Sequence, residues 1–221
     1  MRPLLPMPLR RELRAIALLG VFAAALLRAD PLADAARAQV GVTTGYDPAY
    51  TRLAYPGGDV PKSTGVCCDA VVRALRTAHD FDLQRAVHED MRANFTAYPR
   101  KWGLKKPDAN IDHRRVPNLQ TFFTRQGWAL EVGREPAGFH AGDIVTWDLG
   151  NGLVHIGVVS DRTGKSGAPL LVHNIGRGAQ EEDVLFAWTI TGHYRPKFPS
   201  KPSRLDIRID QPAAASTRRP E

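Results

Sequence analysis

The chain has 221 residues, of which 43% are hydrophobic and 24% charged, with a formal net charge of +7. That length suits one domain, or one domain with tails, and it buries a core without staples. Its two cysteines, Cys67 and Cys68, are neighbours, which excludes a disulfide scaffold, because a bridge between adjacent residues closes a strained ring.

The N-terminus carries an export pattern. Arg2, Arg10, Arg11 and Arg14 flank an apolar run, Ala15 to Leu27, of 13 residues. Two small-x-small sites follow, Ala33-Asp34-Ala35 and Ala36-Arg37-Ala38. This layout predicts a cleaved secretory signal over residues 1–38. The run falls short of the roughly 20 residues of a spanning helix, so no stable membrane insertion is expected once the leader is gone. The Arg10-Arg11 pair is a poor match to a twin-arginine signal. Residues 1–38 carry six arginines and three acids, so the remainder holds 24 bases against 20 acids, a net +4. The basic balance is therefore partly an export signal, and no nucleic-acid partner is expected. The expected location is periplasmic or secreted, an oxidising setting in which an unpaired thiol needs a reason.

Residues 39–64 read as an extended lead-in, with turns at Tyr55-Pro56-Gly57-Gly58 and Val60-Pro61. Ser63, Thr64 and Gly65 offer capping chemistry before an amphipathic helix. Its stripe is Val66, Cys67, Ala70, Val71, Ala74, Leu75 and Ala78, with Asp69, Arg73 and Arg76 on the opposite face. A second helix is expected over roughly 82–96, with Leu83, Val87, Met91 and Phe95 at steps of four. Residues 98–115 form a polar, basic loop. Pro117 opens a third helix that stops near Gly127. The period then changes. Asp143 to Leu149, Leu153 to Ser160 and Pro169 to His173 read as strands of an antiparallel meander, and Val184 to Ile190 and Gly192 to Arg195 as further edges. From Pro196 the core pattern ends, and residues 197–221 read as a flexible tail. Helices followed by antiparallel strands predict one α+β domain over residues 41–196, with the helices packed on the sheet.

The chemistry centres on Cys67, at the start of the first helix. Unpaired N–H groups and the positive end of the helix dipole lower a thiol's pKa there, and a neighbouring imidazole lowers it further. The strands supply His155 and His173. One strand over, His173 is placed to fix the tautomer of His155. Cys68 is the alternative nucleophile, and a small buried hydrophobe is the plain reading of either thiol. Asp112-His113-Arg114-Arg115 offers guanidiniums that fork onto carboxylates; as a plain charge run it would be a solvated loop. Tyr55 and Asp59, upstream of the helix, are candidates to line a cleft. His113, His155 and His173 with Asp112 or Cys67 lack the spacing of a zinc site, so neither a metal nor another cofactor is expected.

The segments Gly65-Val66-Cys67-Cys68-Asp69, Ala141-Gly142-Asp143-Ile144-Val145, Val154-His155-Ile156-Gly157-Val158-Val159 and Leu171-Val172-His173 resemble the motif series of the NlpC-type cell-wall cysteine peptidases. From Thr43-Thr44-Gly45-Tyr46-Asp47-Pro48 to Thr191-Gly192-His193-Tyr194-Arg195 the chain resembles a bacterial secreted family known only as domain of unknown function 1287. The resemblance implies a papain-like fold, with Cys67 as nucleophile, His155 as general base and acid, and His173 as orienting residue. It implies a peptidoglycan or peptide substrate and hydrolysis of an amide through a thioester. The pattern departs at Val66, Cys68 and Asp69, and the Asp69 carboxylate is expected to reshape the substrate pocket. A non-catalytic cell-envelope binding module on the same fold, and an acyltransferase using the same thioester, stand as rivals.

Overall fold

The Asp30 carboxylate accepts from the backbone N–H groups of Leu32 and Ala33, and Pro31 occupies the first turn, so the chain enters helix α1 (Pro31–Arg37) at once. The computed structural model describes residues 30–198. Leu32, Ala33 and Ala36 are buried, and α1 packs against the cysteine helix and the sheet. Arg37 pairs with Asp161 and Glu181 and so ties α1 to the strands. Both small-x-small sites fall in or at the end of this buried helix, so the described body includes residues ahead of the start expected near 41. The basic stretch and apolar run of the expected leader lie outside the described residues, as does the expected tail beyond Phe198. Phe198 itself stacks on His79 at 4.1 Å between ring centroids and meets Trp128 edge-on, so the body also runs past Pro196.

Helix α2 (Cys67–His79) is buried at every position from Cys67 to Leu75. Its expected outer face is covered by the lead-in. Arg73 forks onto Asp59 and donates to Thr43 Oγ1 and the Val60 carbonyl. A guanidinium enters the interior only with its donors satisfied, and the lead-in supplies the acceptors. Helix α3 (Leu83–Asn94) buries Leu83, Val87 and Met91, the stripe that the steps of four predict. Helix α4 (Val116–Arg125) has Pro117 in its first turn and buries Val116, Leu119, Phe122 and Phe123.

Six antiparallel strands complete the described fold: β1 (Ala129–Leu130), β2 (Ile144–Gly150), β3 (Leu153–Thr163), β4 (Pro169–Asn174), β5 (Ala179–Glu182) and β6 (Thr189–Tyr194). Their order in the sheet is β1-β6-β2-β3-β4-β5. Strands β2 to β4 form the expected meander; β5 extends it where no strand is expected, and the edge expected from Val184 is a turn up to Trp188, with only Thr189 and Ile190 entering β6. The C-terminal strand is central rather than an edge, because β6 lies between β1 and β2, pairing Leu130 with His193 and Val145 with His193 from opposite sides. Strand alternation divides the core. Ile144, Ile156, Val158 and Val172 join the helices in one cluster, and Val145, Trp147, Val159 and Leu171 form a second with Phe139 and Leu185. The architecture is α+β, as the order of elements predicts.

Candidate active site

Helix α2 starts without a side-chain cap. Val66 is its N-cap and has no acceptor to offer, so the expected capping by Ser63 or Thr64 does not occur. The Asp69 carboxylate reaches back to the Val66 N–H at 2.6 Å and receives a fork from Arg114, Nε to Oδ1 and Nη2 to Oδ2, both at 2.9 Å. This arrangement anchors the first turn while leaving the leading amides beside the cysteine unblocked. Gly65 is required at the approach, since a Cβ there would sit 3.0 Å from the Asp69 carboxylate oxygen.

The start of α2 is also pinned to the end of β4. Asn174 donates to the carbonyls of Gly65 and Gly45 at 3.0 and 3.1 Å. That tie holds the helix start against the strand that carries His173. By register His155 lies opposite Trp147 and so on the sheet face away from Ile156. The groups that act on the Cys67 thiol are the Cys68 side chain, His155 and the Cys68 backbone N–H. The Cys68 donor and the imidazole outweigh burial and hold the Cys67 thiol down to about 5. Cys68 is fully buried, and burial beside the Cys67 charge pushes its thiol up. The two neighbouring thiols are thus shifted in opposite directions.

His155 Nε2 lies 2.8 Å from His173 Nδ1. Both rings are buried, and Trp147 stacks on His155 with centroids 5.8 Å apart. Trp188 stands edge-on to both imidazoles. Gly157 lets the strands close this far. It pairs with His173 in the register, and a Cβ on it would lie 3.0 Å from the Val172 carbonyl oxygen and 3.1 Å from His173 Cβ. The room at Gly157 therefore admits the neighbouring strand. Burial first, then the adjacent His155, lowers the His173 pKa to about 4, so this ring is neutral.

A cleft of about 250 Å³ opens onto Cys67, lined among others by Tyr46, Trp102, Arg115, Val116 and Val154. Burial and the nearby negative groups, Cys67 first, push Tyr46 up to about 12, so its hydroxyl stays protonated. Arg115 lies over the Trp102 ring at 4.1 Å and within 3.5 Å of Asp112.

The sequence-predicted substrate residues divide sharply. Cys67, His155 and His173 come together, and Arg114 and Arg115 border the cleft. Asp69 is not a pocket carboxylate, because Arg114 and the Val66 amide occupy it. Asp59 serves Arg73, and exposed Tyr55 packs edge-on against His88, so neither lines the cleft. The segment Asp112-His113-Arg114 is no solvated loop but a buried 3-10 turn. Burial pushes the Asp112 carboxyl up to about 6 and the His113 imidazole down to about 4. Tyr46 and Trp102 were missed as cleft residues. An exposed aromatic in a loop was the available signal for Trp102, and the Tyr46-Asp47-Pro48 segment that carries the family resemblance was the signal for Tyr46. Among the described residues no group of three or more His, Cys, Asp and Glu is placed to hold a metal ion, and no helix is long and apolar enough to cross a membrane.

A family model described as "Domain of unknown function (DUF1287)" matches residues 33–196. The chain is similar to a protein of Escherichia coli (strain K12) described as "Uncharacterized protein YijF". The two are 60% identical over 164 residues, which cover 74% of this chain and 80% of that protein. No solved structure matches the chain. The match begins inside α1 and ends just past β6, so it spans the cysteine helix, both histidine strands and the cleft. The chain belongs to the DUF1287 family.

Proposed function

We propose that this protein is an exported thiol amidohydrolase that cleaves an amide bond in peptidoglycan stem peptides, on a papain-like scaffold of the NlpC type. One observation carries the reading: a lowered Cys67 thiol at a helix start, a histidine pair joined at 2.8 Å behind it, and a cleft in front. That combination is what an activated nucleophile requires.

In this reading His155 takes the Cys67 proton, and the resulting thiolate attacks the amide carbon and forms a tetrahedral intermediate. The Cys67 backbone N–H, among the unpaired donors of the first turn, faces the oxyanion. His155 gives its proton to the leaving amine as the C–N bond breaks, leaving a thioester on Cys67. His155 then takes a proton from water, whose oxygen attacks the thioester and releases the acid and the thiol. Tyr46 offers a protonated hydroxyl at the cleft, and Trp102 and Arg115 offer an apolar wall and a cation to the peptide. Periplasmic or secreted action fits the export pattern of the first residues.

The test is incubation of the protein, freed of its leader, with purified muropeptides and analysis of the products by mass spectrometry. New amine and carboxyl termini that vanish in Cys67→Ala and persist in Cys68→Ala are the expected result. Cleavage by neither the native protein nor any activated form of it, with slow alkylation of Cys67, would instead favour the envelope-binding module. Transfer to an added amine would identify the acyltransferase.

A further inference from the structure

The histidine pair does not end at His173. Its Nε2 lies 3.2 Å from the Glu182 carboxylate on β5. The other Glu182 oxygen is taken by Arg177. Within hydrogen-bond geometry this buried Nε2 has no partner among the described residues, so it meets the carboxylate as a close charge contact. The four groups Cys67, His155, His173 and Glu182 thus form a line from the cleft, across three neighbouring strands, to a carboxylate that is 27% exposed.

A line of two imidazoles has two internally consistent proton arrangements. In one, His173 carries its proton on Nε2, accepts at Nδ1 from His155 Nε2–H, and leaves His155 Nδ1 bare. In the other, every proton sits one nitrogen further along: His173 donates from Nδ1, His155 accepts at Nε2, and His155 Nδ1 is protonated. Only the first presents a lone pair to Cys67. Two neutral imidazoles alone have little reason to choose between them. A carboxylate at the far end does, because an acceptor-only group demands an N–H and because the opposite order would set the Nε2 lone pair against its negative charge.

We propose that Glu182 is a positioning residue that selects the proton arrangement of the histidine pair in which His155 is free to act as the base toward Cys67. This deepens the proposed function and rests on its reading of Cys67 as nucleophile. Burial keeps His173 neutral, so it transmits an orientation rather than a charge. The charged or titrating groups facing the pair are Cys67 and Cys68 from α2, Glu182 from β5 and Arg177 from the turn before it. Trp147 and Trp188 wall the rings without adding charge. Arg177 is itself exposed and serves to hold Glu182 rather than the ring.

The experiment reads tautomers directly. In ¹⁵N-histidine-labelled protein near neutral pH, His173 is expected as the Nε2–H form, with its Nδ1 as the unprotonated nitrogen. In Glu182→Ala the His173 proton is expected to redistribute toward Nδ1. In parallel, alkylation at Cys67, resolved from Cys68 by peptide mass spectrometry, should give an apparent pKa raised by about one unit, the scale of a charge-assisted hydrogen bond. Glu182→Gln keeps the shape without the charge and guards against a folding defect; a smaller shift in the same direction is expected. In a His173→Asn background, where no second imidazole remains to orient, Glu182→Ala should add nothing, which a merely structural role would not predict. A native His173 protonated on Nδ1, or tautomers that ignore both substitutions, would overturn the proposal. An ordinary thiol pKa for native Cys67 alongside a tautomer change in Glu182→Ala would instead sink the nucleophile and leave the role of Glu182 standing.

Discussion

Two polar clusters meet at the start of α2, and they are built on opposite plans. Asp69 and Arg114 are both charged and almost fully enclosed, and nearly every donor and acceptor between them is used: the fork between them, the Val66 amide, and the Asp47 and Ala49 carbonyls. Cys67, His155 and His173 are just as buried, yet two of them keep an atom for something outside the cluster, Cys67 its sulfur for the cleft and His173 a ring nitrogen for Glu182. The first plan fixes a shape, because a buried ion pair with saturated hydrogen bonds has one low-energy arrangement. The second keeps proton transfers open, because Cys67 and His173 sit away from their ordinary pKa values beside a second imidazole. Asp69, two residues from Cys67, therefore holds the backbone.

If the two plans are distinct, they fail differently. Cys67→Ala should abolish muropeptide cleavage, a loss of at least about 10⁴-fold, with the urea midpoint close to that of the native protein. A residual rate in Cys67→Ala that disappears in Cys68→Ala would exchange the two sulfurs. Arg114→Ala should do the reverse in kind. It strands the Asp69 carboxylate in the interior and should cost about 3–5 kcal/mol of stability, read from urea unfolding, with activity falling as the helix start loosens. An Arg114 variant that keeps native stability would show that the network is open to water.

How much of this was legible beforehand follows the same division. The stripes Val71–Leu75 and Leu83–Val87–Met91, and the strands carrying Trp147, His155 and Leu171, announce themselves because burial of apolar side chains imposes a period. Cys67, His155 and His173 were recoverable from residue chemistry and motif order. The Asp69–Arg114 pair was not, since 45 residues separate partners that only folding joins, and a run such as Asp112-His113-Arg114-Arg115 looks solvated wherever its counter-charge is distant in sequence. Helix α1 was hidden for another reason. Its small alanines suit a cleavage site and a tight helix contact equally, and only the packing of Leu32, Ala33 and Ala36 tells them apart. The two-residue strand β1 and the central place of β6 depend on non-local pairing, which no local pattern encodes.

The remaining predictions sharpen the reactive side. Alkylation of Cys67 should stay fast from neutral pH down toward about 5 and fall below it, where the sulfur takes a proton. The sign follows from the depressed thiol: whatever stability the Cys67 thiolate contributes is fully present above its unfolded pKa and is lost as pH falls through the folded value. A labelling profile that rises only near the free thiol's roughly 8.5 would remove the activated nucleophile altogether.

The smallest effect tests the donor. The Cys68 side chain and the Cys68 backbone N–H both lower the Cys67 thiol. Cys68→Ala removes only the first, so the apparent pKa of Cys67 should rise, by about one unit if the thiol donor is worth an ordinary charge-assisted bond. Cys68→Ser restores a donor on a shorter arm and should recover part of that shift. The pair of variants separates donation from packing, because alanine and serine differ little in volume at a site with no exposed surface. Equal rises in both would assign the lowered thiol to His155 and the helix start alone, and the adjacent cysteine would then be the small buried hydrophobe that most free cysteines are.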